Sequence, residues 1–131
     1  MLLVFLCCCG EKHSEPVINS AVVEDGKLVV FLAGNPTTGY RWQCCSMTGD
    51  CLSQEGETEF VPANRDTNIA GSGGTEVFTF RPVGSGTAEL HFEYFRSFEE
   101  NSTIRTFDLT AETADNNITI LRQNYSGGDA A

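Results

Sequence analysis

Few residues of this 131-residue chain can exchange a proton or attack an electrophile near neutral pH. The histidines are His13, in the polar segment EKHSE, and His91, which alternates with apolar neighbours in GTAELHFEYF. The only enzymatic arrangement they allow is a dyad of His91 with Cys44 or Cys45, and no nucleophile signature surrounds either cysteine. No C-x-x-C pair or His-rich cluster suggests a metal site, so no cofactor is expected. The chemistry on offer is recognition, and it is concentrated in three turns. Asn35-Pro36-Thr37-Thr38-Gly39 is polar and uncharged. Pro36 fixes its own φ and pushes Asn35 toward extended geometry, while Gly39 can re-enter a strand from a left-handed conformation. In Gly71-Ser72-Gly73-Gly74, just before Thr75, three glycines in four positions let another backbone approach closely. Arg96-Ser97-Phe98 offers an exposed guanidinium beside an exposed ring, residue types enriched at binding hot spots. Each also has an ordinary counterpart: a stiff turn, a flexible turn, and a strand end whose ring folds back on the core.

Short runs of β-branched and aromatic residues must position these turns, and such runs, bounded by Gly, Asn, Asp or Pro, read as an all-β sandwich. The runs are PVINSAVVE, KLVVFLAG, YRWQCCSM, a weak TEFVP, TEVFTFRP, GTAELHFEYF and STIRTFDLTAE. Phe78 and Phe80 alternate with Val77 and Thr79, and Leu90, Phe92 and Tyr94 with His91, Glu93 and Phe95. No window of helical length carries an apolar stripe, so helix content should be low. Trp42, on one strand face with Tyr40 and Cys44, reads as core. NITILRQ or IRTFDLTA closes the fold, and the second is favoured.

The order N-P-T-T-G-aromatic, then G-x-G-G-T opening a strand, then Y-x-R-x-aromatic after a strand resembles the chagasin-like family of cysteine-peptidase inhibitors. The resemblance covers about Pro16 to Glu112. NPTTGY with Trp42, and GSGGTEVF, are specific matches. The third motif departs from the family's Arg-Pro-Trp, having Arg96, Ser97 and Phe98. The resemblance implies an immunoglobulin-like antiparallel β-sandwich of about seven strands, with its binding loops clustered at one end to wedge into the cleft of papain-like peptidases. Thr37 and Thr38 would meet the catalytic centre, with Asn35, Pro36 and Gly39 shaping their loop. Gly71, Ser72, Gly73, Gly74 and Thr75 would run beside the substrate channel, and Arg96, Ser97 and Phe98 would take the opposite side. The implied function is reversible, tight-binding inhibition by a monomer without enzymatic activity of its own. The rival is a non-inhibitory adhesion or ligand-binding sandwich, because such folds host many unrelated functions.

Bulk properties bound the remainder. The length suits one domain with a real core. Eighteen Asp and Glu against eight Lys and Arg give a formal charge of −10 and leave no basic stripe for nucleic acid or anionic lipid. Residues 1–9, MLLVFLCCC, are too few to span a bilayer; they suit a short secretory signal but lack its positive n-region. Residues 10–112 are the expected inhibitor domain. Residues 113–131 form a C-terminal extension with one strand candidate before a disordered-looking SGGDAA. A secreted or endomembrane, lysosome-like location follows if the signal is real, with no membrane association once it is removed; a cytoplasmic chain is the alternative. Asn101, Asn117 and Asn124 are N-x-[ST] acceptor sites. Without the first three cysteines, an odd number remains. A disulfide to Cys51 from Cys44 or Cys45, with Cys45–Cys51 the expected pair, would close a short loop; three reduced thiols are the alternative.

Overall fold

Successive strand side chains point to opposite faces, so apolar alternation should bury one face of each strand. In the computed structural model, which describes residues 18–62 and 73–127, it does so most fully in the strands Lys27–Gly34, Gly74–Pro82, Gly86–Phe95 and Arg105–Ala114. The strands are β1 (Ser20–Glu24), β2 (Lys27–Gly34), β3 (Arg41–Thr48), β4 (Leu52–Gln54), β5 (Glu59–Pro62), β6 (Gly74–Pro82), β7 (Gly86–Phe95), β8 (Arg105–Ala114) and β9 (Asn117–Gly127). One sheet runs β1-β2-β6-β4 with β5 also paired to β6; the other runs β3-β7-β8-β9. All pairings are antiparallel. The sole helical element among the described residues is a 3₁₀ turn, Pro36–Thr38.

This is the expected immunoglobulin-like sandwich, with nine strands rather than about seven. The additions are β4, whose three residues are too short to display alternation, and β9. IRTFDLTA and NITILRQ are both strands, so the choice between them was a false one. They form a hairpin because Asp115 and Asn116 take positive φ (55° and 64°), the conformation that two-residue turns between right-twisted strands require. The segment from Thr113 onward therefore completes β8 and supplies an edge strand.

Leu28, Val30 and Leu32 of β2 and Phe78 and Phe80 of β6 face Leu90, Phe92, Phe107 and Leu109 across the sandwich, all buried. Phe92 sits edge-on or tilted to Phe78, Phe80 and Phe107, at centroid distances of 5.0, 6.3 and 6.0 Å. Trp42 is core as read: it is buried, and its indole N–H donates to the Ala33 carbonyl at 2.8 Å. Two polar side chains tie the sheets together. Glu76 lies on the inward face of β6 with no exposed surface, accepting from the Trp42 backbone N–H (2.9 Å) and Arg41 Nη2 (3.2 Å) of β3. Along the β1–β9 edge, the Gln123 amide accepts from the Ala21 N–H (2.8 Å) and donates to its carbonyl (3.2 Å), imitating a strand pairing.

The cysteines overturn the expected disulfide. Cys44, Cys45 and Cys51 are all free thiols. Cys51 packs into the core, whereas Cys45 is exposed at the Cys44/Ser46 bulge of β3, so the two side chains occupy opposite environments.

On the outward face of the second sheet, His91 lies between two carboxylates, Asp108 at 2.6 Å from Nδ1 and Glu93 at 2.9 Å from Nε2. The Asp108 hydrogen bond, helped by Glu93, outweighs partial burial and raises the His91 pKa. Glu93 is held below the usual carboxylate range by the Thr103 hydroxyl and by His91.

Trp42→Ala should cost about 3–5 kcal/mol of unfolding free energy, as for other large aromatic deletions from a core, read as a lower denaturant midpoint. Because folding raises the His91 pKa, its contribution is fully present below about pH 6.5 and is lost as pH rises through the folded value. The thermal midpoint of the parent should exceed that of His91→Gln by most near pH ~5.5 and converge on it by pH ~9. A constant gap across that range would contradict this.

Candidate functional site

Strand register brings three connections to one pole. Gly34, ending β2, pairs with Gly74, opening β6, and Pro62, ending β5, pairs with the same residue. On the other sheet Arg41, opening β3, pairs with Phe95, ending β7, and Arg105, opening β8, pairs with Tyr94. The β2–β3, β5–β6 and β7–β8 loops must therefore emerge side by side.

The first loop is closed on itself. Asn35 is extended (φ −139°, ψ 95°), as a residue before proline should be, and Gly39 is left-handed (φ 88°). Between them, Asn35 Oδ1 accepts from the Thr37 N–H (3.2 Å) and Thr37 Oγ1 (2.6 Å), and the Asn35 carbonyl accepts from the Thr38 N–H (3.1 Å) and Thr38 Oγ1 (2.7 Å). The Gly39 N–H closes the turn on the Pro36 carbonyl at 2.9 Å. Both Thr hydroxyl protons are thus used internally, while both side chains are exposed. What the apex offers outward is oxygen lone pairs.

The third loop clasps the first. Arg96 Nε donates to the Thr38 carbonyl at 3.0 Å, its guanidinium lies 4.4 Å from the centre of the Tyr40 ring, and Nη1 meets Glu99 at 3.2 Å. The sequence suggested an exposed guanidinium; the structure uses it as a strap between loops, with its side chain only 34% accessible. Phe98 does project: it is 76% exposed, and its ring passes so close to Gly39 that a Cβ there would lie 3.0 Å from Cζ. Ser97 is exposed beside it. Where the family motif has proline, this loop is braced by the buried hydroxyl of Ser102, which accepts from the Arg96 N–H (2.9 Å) and lies 2.9 and 2.8 Å from the carbonyls of Arg96 and Glu99.

Of the glycine-rich stretch, Gly71 and Ser72 lie outside the described residues. Gly73 backs against the first loop, where an added Cβ would come 2.7 Å from the Gly34 carbonyl oxygen. Gly74 and Thr75 belong to β6, with Thr75 paired to Ala33 on one side and Val61 on the other.

Beneath the loops sits a residue that the sequence marked by its strand parity and as the first position of the third motif. Tyr94 is buried, accepts the Asn35 N–H at 2.8 Å through its hydroxyl, stacks on Tyr40 (5.3 Å between ring centres) and lies tilted against Trp42 (5.2 Å). Together with Asn35, Tyr40, Arg96 and Arg105 it lines a cleft of about 540 Å³ between the loops. The signal for Glu76 and Arg105 lay in alternation: each is charged yet falls on the inward parity of its strand, with Phe78 and Phe80 or with Phe107 and Leu109.

The enzymatic alternative is not assembled. Both ring nitrogens of His91 face carboxylates, and the thiols of Cys44 and Cys45 contact main-chain carbonyls of Ser46 and Gln43. Burial, with Cys45 adjacent, pushes the Cys44 thiol up to about 11, and burial with Glu93 nearby raises Cys45 as well, so neither favours the thiolate that attacks. No group of three His, Cys, Asp or Glu among the described residues could hold a metal ion. Of the acceptor asparagines, Asn101 is exposed on the third loop, Asn117 opens β9 at the far pole, and Asn124 is exposed on β9.

Residues 22–111 match a family model described as Chagasin family peptidase inhibitor I42. The chain is 28% identical over 99 residues to amoebiasin-1 of Entamoeba histolytica, covering 76% of this chain and 91% of that protein. It is 31% identical over 91 residues to chagasin of Trypanosoma cruzi, covering 66% and 77%. Its fold resembles the crystal structure of the cysteine protease inhibitor EhICP2 of Entamoeba histolytica, with a TM-score of 0.52 and 21% identity over 72% of this chain and 77% of the other.

Asn35→Ala removes the acceptor that closes the first loop. It should cost about 1 kcal/mol locally, as for lost caps elsewhere, read as faster amide exchange at Thr37 to Gly39 with exchange in β7 and β8 unchanged.

Proposed function

Because the chain belongs to the chagasin family of peptidase inhibitors, we propose that it is a reversible, tight-binding inhibitor of papain-like cysteine peptidases, entering the active-site cleft as a monomer with its three loops, the first and third of them braced together before docking. The observation that carries this reading is the closure of the first loop on itself together with its strap to the third by Arg96.

A papain-like centre pairs a thiolate with an imidazolium in a groove built for extended peptide. The outward lone pairs of Thr37 and Thr38 suit hydrogen-bond donors in such a site. Their peptide bonds, curled in a 3₁₀ turn, do not offer the extended geometry that a substrate presents. The Gly73 end of the second loop would run alongside the channel, and Phe98 would cover apolar surface on the opposite side. Loops ordered before docking lose little conformational entropy, so an interface of about 1,600 Å² in total could be tight. The protein would meet its target in a secretory or endomembrane compartment, or in the cytoplasm if residues 1–9 are retained; a glycan on Asn101 would stand beside the wedge.

Titration of papain with the protein, with a serine peptidase as control, should give stoichiometric loss of papain activity alone. Fully active papain at equimolar inhibitor would sink the proposal. Within it, Thr37→Ala combined with Thr38→Ala should weaken inhibition more than Phe98→Ala, because the first pair meets the catalytic centre; equal small losses would contradict that placement.

A further inference from the structure

Arg105 carries a charge that no carboxylate among the described residues neutralises. It opens β8 on the inward parity and is 5% exposed. The other buried charge among the described residues, Glu76, is matched by Arg41. Arg105 meets no carboxylate among the described residues. Its neighbours are the Tyr94 ring, 4.7 Å from its Cζ, and the Ala33 carbonyl, 3.5 Å from Nη1. A guanidinium has five N–H donors, so one long hydrogen bond and one ring face leave most of them unused. An isolated cation out of water is costly, and buried charges ordinarily have a partner.

Its position says where a partner would come from. Arg105 lines the cleft of about 540 Å³ between the first and third loops and Gly73, beside Arg96 and the two tyrosines. Gly34, on the wall of the cleft, lets the chain pack directly on Tyr94: a Cβ at that position would lie 2.9 Å from the ring. With a formal charge of −10, the protein as a whole repels free anions, so a carboxylate delivered on a docking surface is favoured over one drawn from solution.

We propose that the cleft is a carboxylate-binding pocket whose counter-ion is an Asp or Glu side chain at the cleft rim of the bound peptidase, with Arg105 as the residue that selects it. The carboxylate chemistry follows from the unneutralised guanidinium; the identity of its bearer rests on the inhibitor reading above. A charge kept for a partner leaves a distinct signature, since removing it relieves the free protein and harms only the complex.

The test compares the parent with Arg105→Gln and Arg105→Lys in two measurements. Thermal midpoints are taken in sodium acetate and in sodium chloride at equal ionic strength. Inhibition is measured against papain and against papain with its cleft-rim Asp and Glu changed to Asn and Gln. Arg105→Gln should match or exceed the parent midpoint in chloride and lose the acetate-dependent rise that the parent shows. It should weaken inhibition of papain by at least about tenfold, Arg105→Lys should recover part of that loss, and the penalty should vanish against the neutralised enzyme. A lower midpoint with unchanged inhibition would make Arg105 a structural strut and overturn the proposal. An acetate response with unchanged inhibition would overturn the assignment to a peptidase carboxylate. If the parent chain does not inhibit at all, the inhibitor reading fails instead, and the acetate comparison alone decides whether the pocket binds a carboxylate.

Discussion

The buried carboxylate of Glu76 holds the sandwich together at the pole from which the loops emerge. It projects from β6 across to β3, taking the Trp42 N–H and the Arg41 guanidinium. A charge with no exposed surface is destabilising unless it is paired and hydrogen-bonded, and here both conditions are met by residues of the opposite sheet. That requirement fixes how β6 and β3 lie against each other, and therefore where the loop joining β2 to β3 begins and ends. The aromatic stack of Tyr40, Tyr94 and Trp42 fills the space beside it. Through its hydroxyl, Tyr94 carries the constraint to Asn35, the first residue of the apex.

From there the order passes outward by hydrogen bonds. Asn35 organises both threonines, Gly39 ends the turn, and Arg96 reaches across from the third loop to hold the Thr38 carbonyl. Such a chain of contacts makes the first and third loops a single body rather than two independent ones. The departure of the third loop from Arg-Pro-Trp fits this view. Ser102 restrains the backbone that a proline would otherwise stiffen, and the ring of Phe98 remains exposed where an indole would stand. What changes is the area of the aromatic contact rather than the architecture of the loop.

The two faces of the pole follow different physical rules. On its underside buried groups are paired, Glu76 with Arg41 and the Trp42 indole with the Ala33 carbonyl. Its open side leaves oxygen lone pairs at Thr37 and Thr38, a bare aromatic ring at Phe98, and a buried cation at Arg105 lacking a carboxylate among the described residues. These departures from local satisfaction gather on the surface proposed to dock, where a partner would supply the missing groups.

Much of this was legible in the chain itself. Period-two alternation determined which faces of β2, β6, β7 and β8 are buried, because a half-buried strand has no other way to hide its apolar side chains. Pro36 and Gly39 determined the shape of the first apex, since their allowed backbone angles are local properties. Trp42 declared itself core by its parity. Other features needed contacts between residues far apart in sequence. The three-residue β4 is too short for a pattern and exists only by pairing with β6. Cys45 and Cys51 are close in sequence, yet a bulge and a buried side chain keep their thiols apart. Arg96 looked like a free hot-spot residue because its partners, Thr38 and Tyr40, lie more than fifty positions away. Alternation could flag Glu76 and Arg105 as charges turned inward, but only the packed sheets decided that the first is neutralised by Arg41 and that the second opens onto a cleft.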